Sequence, residues 1–198
     1  MRLPSTAHTS RPWRIHKIAP DFHLEDVWAL PTPGGPHELP RLVSAIFSSD
    51  FPRGAPALVR ALWEARWRIG ALLGWDSGDS GVGTGVPSLR DRLPRDVGPA
   101  PSGPQFAPFT PVYSLKDEWA AEMANRTVHA VMHLGWVAAE SGGYRGQMAV
   151  LIKSRGRLGE AYMAAIRPLR YLIVYPALLR SIERNWNAAP SQEDRSAC

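Results

Sequence analysis

Two glutamates and two histidines lie close together in the stretch Glu118–Val137, EWAAEMANRTVHAVMHLGWV. The residue types suit general acid–base work, because a carboxylate orients an imidazole and favours its charged form. Spacing decides whether they meet. With Asn125-Arg126 as a two-residue hairpin turn, pairing outward sets Glu122 opposite His129 and Glu118 opposite His133. Directly opposed residues have Cβ atoms about 5 Å apart, within hydrogen-bonding reach. The two pairs are separated by about 13 Å along the strand, too far to grip one metal ion, and no metal is expected.

The same register collects Trp119, Ala121, Met123, Val128, Ala130, Met132, Leu134 and Trp136 on one sheet face. Glu118, Glu122, Thr127, His129, Val131 and His133 take the other. A slip of one residue would mix the two sets, so alternation fixes the faces. The polar face has two readings: a solvated outer face with ordinary ion pairs, or the lining of a cavity or interface. In the second, Glu118, Glu122, His129 and His133 are the catalytic candidates. Tyr113, Trp136, Tyr144, Gln147, Tyr162 and Tyr171 are the ligand-binding candidates, since aromatic rings with a polar tip suit an apolar cavity.

Positioning these residues requires a sheet and something to cover it. Four alternating stretches, Phe109–Leu115, Glu118–Ala124, Thr127–Val137 and Tyr144–Lys153, predict strands, with Gly142-Gly143 ending the turn before the last. A helix is expected from about Glu160 to Trp186, interrupted by Pro168 and Pro176, where a kink or break should fall. Upstream, Trp13–Ile18 predicts a short strand. Glu38–Ser48 predicts a helix carrying Leu39, Leu42, Val43 and Ile46. A further helix is expected between Pro56 and Gly74, with Leu58, Leu62, Ala65, Ile69 and Leu72 on its apolar face. Residues 76–108 read as a long irregular connection. Its strings GDSG (78–81) and GVGTG (81–85) lack the strand and spacing that a protease nucleophile or a phosphate loop needs. Residues 1–12 are expected as a flexible arm, 13–187 as one domain and 188–198 as a disordered tail.

Composition excludes several classes. At 198 residues and 44% hydrophobic, the chain has enough apolar material for one domain of ordinary size. No apolar run approaches the ~20 residues of a membrane span, and Met1–Arg14 lacks the apolar core of a signal peptide. The single cysteine, Cys198, rules out an intrachain disulfide framework, and a cytoplasmic location is expected. The net charge of +5 comes from cations scattered along the chain, without the basic stripe of a nucleic-acid binder.

The stretches Leu62–Trp75, Leu89–Pro94, Phe109–Tyr113, Glu118–Val137 and Arg155–Glu183 together resemble an uncharacterised bacterial domain family. Its relatives are often fused behind a short-chain-dehydrogenase-like NAD(P)-binding domain. Its layout is similar to the START/polyketide-cyclase-like (SRPBCC) superfamily. The resemblance implies an α+β helix-grip fold, a curved antiparallel sheet wrapped around a long C-terminal helix. It also implies a cavity between sheet and helix for a small hydrophobic metabolite. Some members of the superfamily carry lipids or hormones, and others cyclise or dehydrate polyketides. They share no catalytic motif, so no catalytic residue carries over. Residues 1–35 contain no dinucleotide-binding unit, and no cofactor is expected. The expected function is metabolite binding. The alternatives are a cyclase or dehydratase using the Glu/His pairs, and a non-enzymatic protein whose Glu/His face makes a homodimer contact.

Overall fold

The computed structural model describes residues 1–48, 81–140 and 142–188, with a few isolated positions between 49 and 80. The helix expected over 56–74 and the tail beyond 188 lie outside the described residues. Two short helical turns, α1 (Thr6–Thr9) and α2 (Ile15–Ile18), lead into strand β1 (His23–Ala29) and helix α3 (Leu39–Phe47). Strands β2 (Thr110–Ser114), β3 (Glu118–Ala124), β4 (Val128–Ala138) and β5 (Tyr144–Ser154) follow. The chain then runs through α4 (Gly156–Leu169), a π turn (Arg170–Val174) and α5 (Tyr175–Ala188).

The strands form one antiparallel, open sheet in the order β1-β5-β4-β3-β2. Four of them fall where alternation puts them. Between β4 and β5, Gly142 and Gly143 hold φ of 90° and 71°, the left-handed region that glycine enters without strain. The β3–β4 hairpin differs from expectation by two residues: Ala124 pairs with His129, Ala120 with His133 and Glu118 with Gly135. Asn125 is the cause. Its Oδ1 accepts from the backbone N–H of Thr127 at 2.9 Å and of Val128 at 3.0 Å, and from Thr127 Oγ1 at 2.8 Å. These bonds pull Thr127 and Val128 into the turn. A shift of two preserves which side chains share a face.

Three layers result. On one side of the sheet, Trp119, Leu134, Trp136 and Met148 pack with Leu42 and Ile46 of α3 and with Ile182 and Trp186 of α5. In α3, Leu39, Leu42, Ala45 and Ile46 make a single buried stripe, and Pro40 sits in the first turn, where its missing N–H costs nothing. On the other side, Val112, Ala120, Val131, Ala149 and Leu151 meet Trp13, Ile15, Ile18, Phe22, Leu89 and Val97. That cover consists of short turns and loop.

Several expectations change here. Residues 15–18 are helical, where alternation suggested a strand; Trp13, Ile15 and Ile18 all turn inward onto the sheet. The segment 1–12 is not a loose arm. Met1 and Leu3 exchange backbone hydrogen bonds with Ala29 and Val27 at 2.8–3.0 Å, which covers the exposed edge of β1. The Glu/His face is not solvated: Glu122 and His133 are 0% exposed, Glu118 4% and His129 5%. Strand β1 went unforeseen. A register irregularity between Leu24 and Asp26 interrupts its alternation. Pro168 lies inside α4 and Pro176 inside α5, and between them the helix continues but widens to a π turn.

Candidate functional site

On the polar face, each carboxylate is filled by donors from distant segments. Glu122 accepts from Ser88 Oγ at 2.6 Å, from the Leu89 amide at 3.0 Å and from His129 Nε2 at 2.7 Å. Ser88 in turn accepts from the Arg90 amide at 3.1 Å, which caps the helical turn Leu89–Arg92. The edge of Phe22 packs on the His129 ring, centroids 4.9 Å apart. Residues 88–92 are thereby stapled to the sheet.

Glu118 makes the second network. It accepts from the Arg14 amide at 2.9 and 3.0 Å, from Tyr113 Oη at 2.9 Å and from His133 Nε2 at 3.0 Å. A carboxylate only accepts, so His133 carries its proton on Nε2. Its Nδ1 then accepts from Nε2 of His8, 3.2 Å away. His8 is 0% exposed and its own Nδ1 has no partner. The rings of His16 and Trp13 close the group, with His16 4.8 Å from His8 and Trp13 5.3 Å from His133.

These surroundings set the proton affinities. Burial depresses His8 to about 3, reinforced by the neighbouring His133 and His16. Burial also lowers His133, against the opposing pull of Glu118. For Glu118, burial acts to raise the carboxyl, but the hydrogen bonds from His133 and the Arg14 amide outweigh it and the net shift is downward. Burial, and then the Glu118 charge, push Tyr113 upward. The network thus holds neutral histidines around an ionised carboxylate.

The opposite face carries a cavity of about 410 Å³ between sheet and C-terminal helix. Phe47, Phe109, Met123, Met132, Met148, Val150 and Leu178 supply most of its wall. Among the described residues, the polar side chains that reach it are Gln105 and Tyr175. Tyr175 donates its hydroxyl to Asp26 at 2.7 Å. Asp26 also takes Arg170 and the Tyr171 hydroxyl, while Arg170 reaches Glu25 at 3.4 Å. This clasp ties the π turn to the irregular part of β1. Burial, together with the Asp26 charge, raises Tyr175, so the phenol stays protonated.

A family profile described as a protein of unknown function, DUF2867, matches residues 18–177. The chain belongs to this family. The DUF2867 match spans β1 to the first turn of α5 and takes in both Glu/His pairs, Asp26, Arg170 and Tyr175. Neither the curated proteins nor the solved structures offer a match.

In this DUF2867 chain the sequence-derived candidates separate into three places. Glu118, Glu122, His129, His133 and Tyr113 share the covered polar face. Gln147 lies on that face too, opposite Gly135, buried and with its Nε2 unpartnered. Glu118 also borders a groove of about 590 Å³ at the end of the sheet, together with Trp136 and Tyr144. Tyr171 belongs to the Asp26 clasp. The Tyr162 side chain lies outside the described residues. No cluster among the described residues brings together three metal-ligating side chains, and no described helix is long and apolar enough to cross a membrane.

Sequence reasoning missed His8 and Asp26. His8 sits in a Ser/Thr/Pro-containing stretch that carries no periodic signal. For Asp26 a signal existed in Arg170, Tyr171 and Tyr175. Three hydrogen-bonding side chains on one apolar helix require a buried polar partner.

Proposed function

We propose that this protein binds a small, uncharged, largely apolar metabolite between its sheet and its C-terminal helix, in the manner of a helix-grip protein of the START/polyketide-cyclase type. The observation that carries the proposal is the 410 Å³ cavity and its wall. Its volume falls within the few hundred Å³ typical of small-molecule sites. Among the described residues no charged side chain lines it. An ionised ligand would lose its hydration there without gaining a counter-charge, so the ligand is neutral. The three methionines are flexible and polarisable, and they adapt to an irregular apolar shape. Gln105 is the side chain free to meet a carbonyl or hydroxyl on the ligand, since the Tyr175 proton is committed to Asp26. The Glu/His pairs do not touch such a ligand, because they lie on the other face of the sheet.

Native mass spectrometry of the purified protein, repeated after denaturation, tests the proposal together with titration by a neutral solvatochromic dye. An adduct lost on unfolding, or dye binding with a blue shift, is expected. Ala130→Trp places an indole in the cavity and should weaken dye binding at least about tenfold, a loss of some 1.4 kcal/mol, with the circular dichroism spectrum unchanged. Equal dye affinity in the folded variant would overturn the proposal.

A further inference from the structure

The groove at the end of the sheet shares no described wall residue with the apolar cavity, and its chemistry is different. It is rich in donors and short of acceptors. The guanidinium of Arg11 lies 5.8 Å over the Trp13 ring, and among the described residues neither Arg11 nor Lys116 has a carboxylate partner. Among the described residues two carboxylates stand at the groove. Glu118 is already filled by His133, Tyr113 and the Arg14 amide, which leaves exposed Asp117 at the rim. The remaining walls are flat. Tyr144 is half-buried, and Trp136 spends its N–H on the Gly35 carbonyl at 2.8 Å, so its ring offers only apolar surface.

We propose that this groove is a second ligand site, taking a small molecule that joins an oxyanion, carboxylate or phosphoryl, to a flat apolar body. The oxyanion meets Arg11 and Lys116, and the flat body lies against Tyr144 and Trp136. Charge-assisted hydrogen bonds to the anion supply orientation, and ring contact supplies area. The site stands independently of the cavity on the helix side.

Isothermal titration calorimetry with benzoate, phenyl phosphate and inorganic phosphate tests it and separates the two oxyanions. Binding of benzoate or phenyl phosphate is expected, weakening as salt is raised. Inorganic phosphate should bind at least about tenfold more weakly than phenyl phosphate, since it lacks the ring. Lys116→Glu, at an exposed position that leaves the fold intact, should weaken binding by a further factor of about ten, and Arg11→Gln should act in the same direction. Ala130→Trp should leave oxyanion binding unchanged, which keeps this site distinguishable from the apolar cavity. Failure of both ring-bearing anions to bind at millimolar concentration would overturn the proposal, as would equal affinity in wild type and Lys116→Glu. Equal binding of inorganic and phenyl phosphate would overturn the role given to Trp136 and Tyr144.

Discussion

Acidification should destabilise this protein earlier and more steeply than carboxylate titration alone explains, and His8 is the reason. In the folded state its pKa is depressed to about 3 by burial and by the neighbouring His133 and His16. In the unfolded chain it returns to about 6.5. The unfolded state therefore takes up the proton first, and stability falls as pH drops from about 6.5 towards 3. At pH 5 the loss from His8 alone is about 2 kcal/mol, with a limiting slope of about 1.4 kcal/mol per pH unit. His133 is shifted in the same direction and adds to the slope. Glu118 is lowered too, so its contribution is lost on the same side but only below its ordinary carboxylate range. Against a typical total of 5–15 kcal/mol, this is a large share. Urea unfolding followed by fluorescence at half-unit steps from pH 7.5 to 5 measures the slope. His8→Gln keeps a side-chain N–H for His133 Nδ1 but removes the titrating group. Whatever its stability at pH 7.5, its slope between pH 6.5 and 5 should be shallower by about 1.1 kcal/mol per pH unit. Parallel slopes for wild type and His8→Gln between pH 6.5 and 5 would refute the reasoning.

Further consequences follow from the same contacts. Glu122→Gln removes the charge that holds His129, Ser88 and the Leu89 amide, and should cost about 3–5 kcal/mol in chemical denaturation. Gly135→Ala would bring a Cβ to 2.8 Å from the Trp13 ring. The expected cost is about 1–3 kcal/mol, with a changed near-ultraviolet tryptophan spectrum. Asp26→Asn breaks the clasp with Arg170, Tyr171 and Tyr175. It should lower the melting temperature and, because Tyr175 lines the cavity, weaken neutral-dye binding.

How much of this was legible in the sequence depends on the range of the interaction concerned. Strands β2 to β5 could be read because alternation is local, and their ends fall within a residue or two of expectation. The irregularity near Pro168 and Pro176, a π turn within a continuous helix, was also local. The hairpin register was not, because a single Asn125 carbonyl collects three donors and enlarges the turn. The faces nonetheless came out right, because the error was an even number of residues. Glu118 still reaches His133 at 3.0 Å and Glu122 still reaches His129 at 2.7 Å, across a diagonal instead of straight across.

Burial of the polar face was hidden for a deeper reason. Alternation separates apolar from polar side chains, and a polar face is read as solvent-facing unless something distant pays its desolvation. Here the donors come from Arg14, Ser88, Leu89 and Tyr113; Ser88 and Leu89 lie in a segment with no periodic signal, and Arg14 in one whose alternation pointed to a strand that does not form. These bonds are strong only because water is excluded, and water is excluded only because the bonds hold the cover in place. The cover and the carboxylates thus form one cooperative unit, which pins the back of the sheet. The front face differs in kind, with methionines and a helix that carries a π turn lining open volume. A sheet stiffened from behind keeps that volume from collapsing when the adaptable wall rearranges. On this argument, weakening the Glu122 staple should reduce apolar-dye affinity from the far side of the sheet, although no atom of Glu122 lines the cavity.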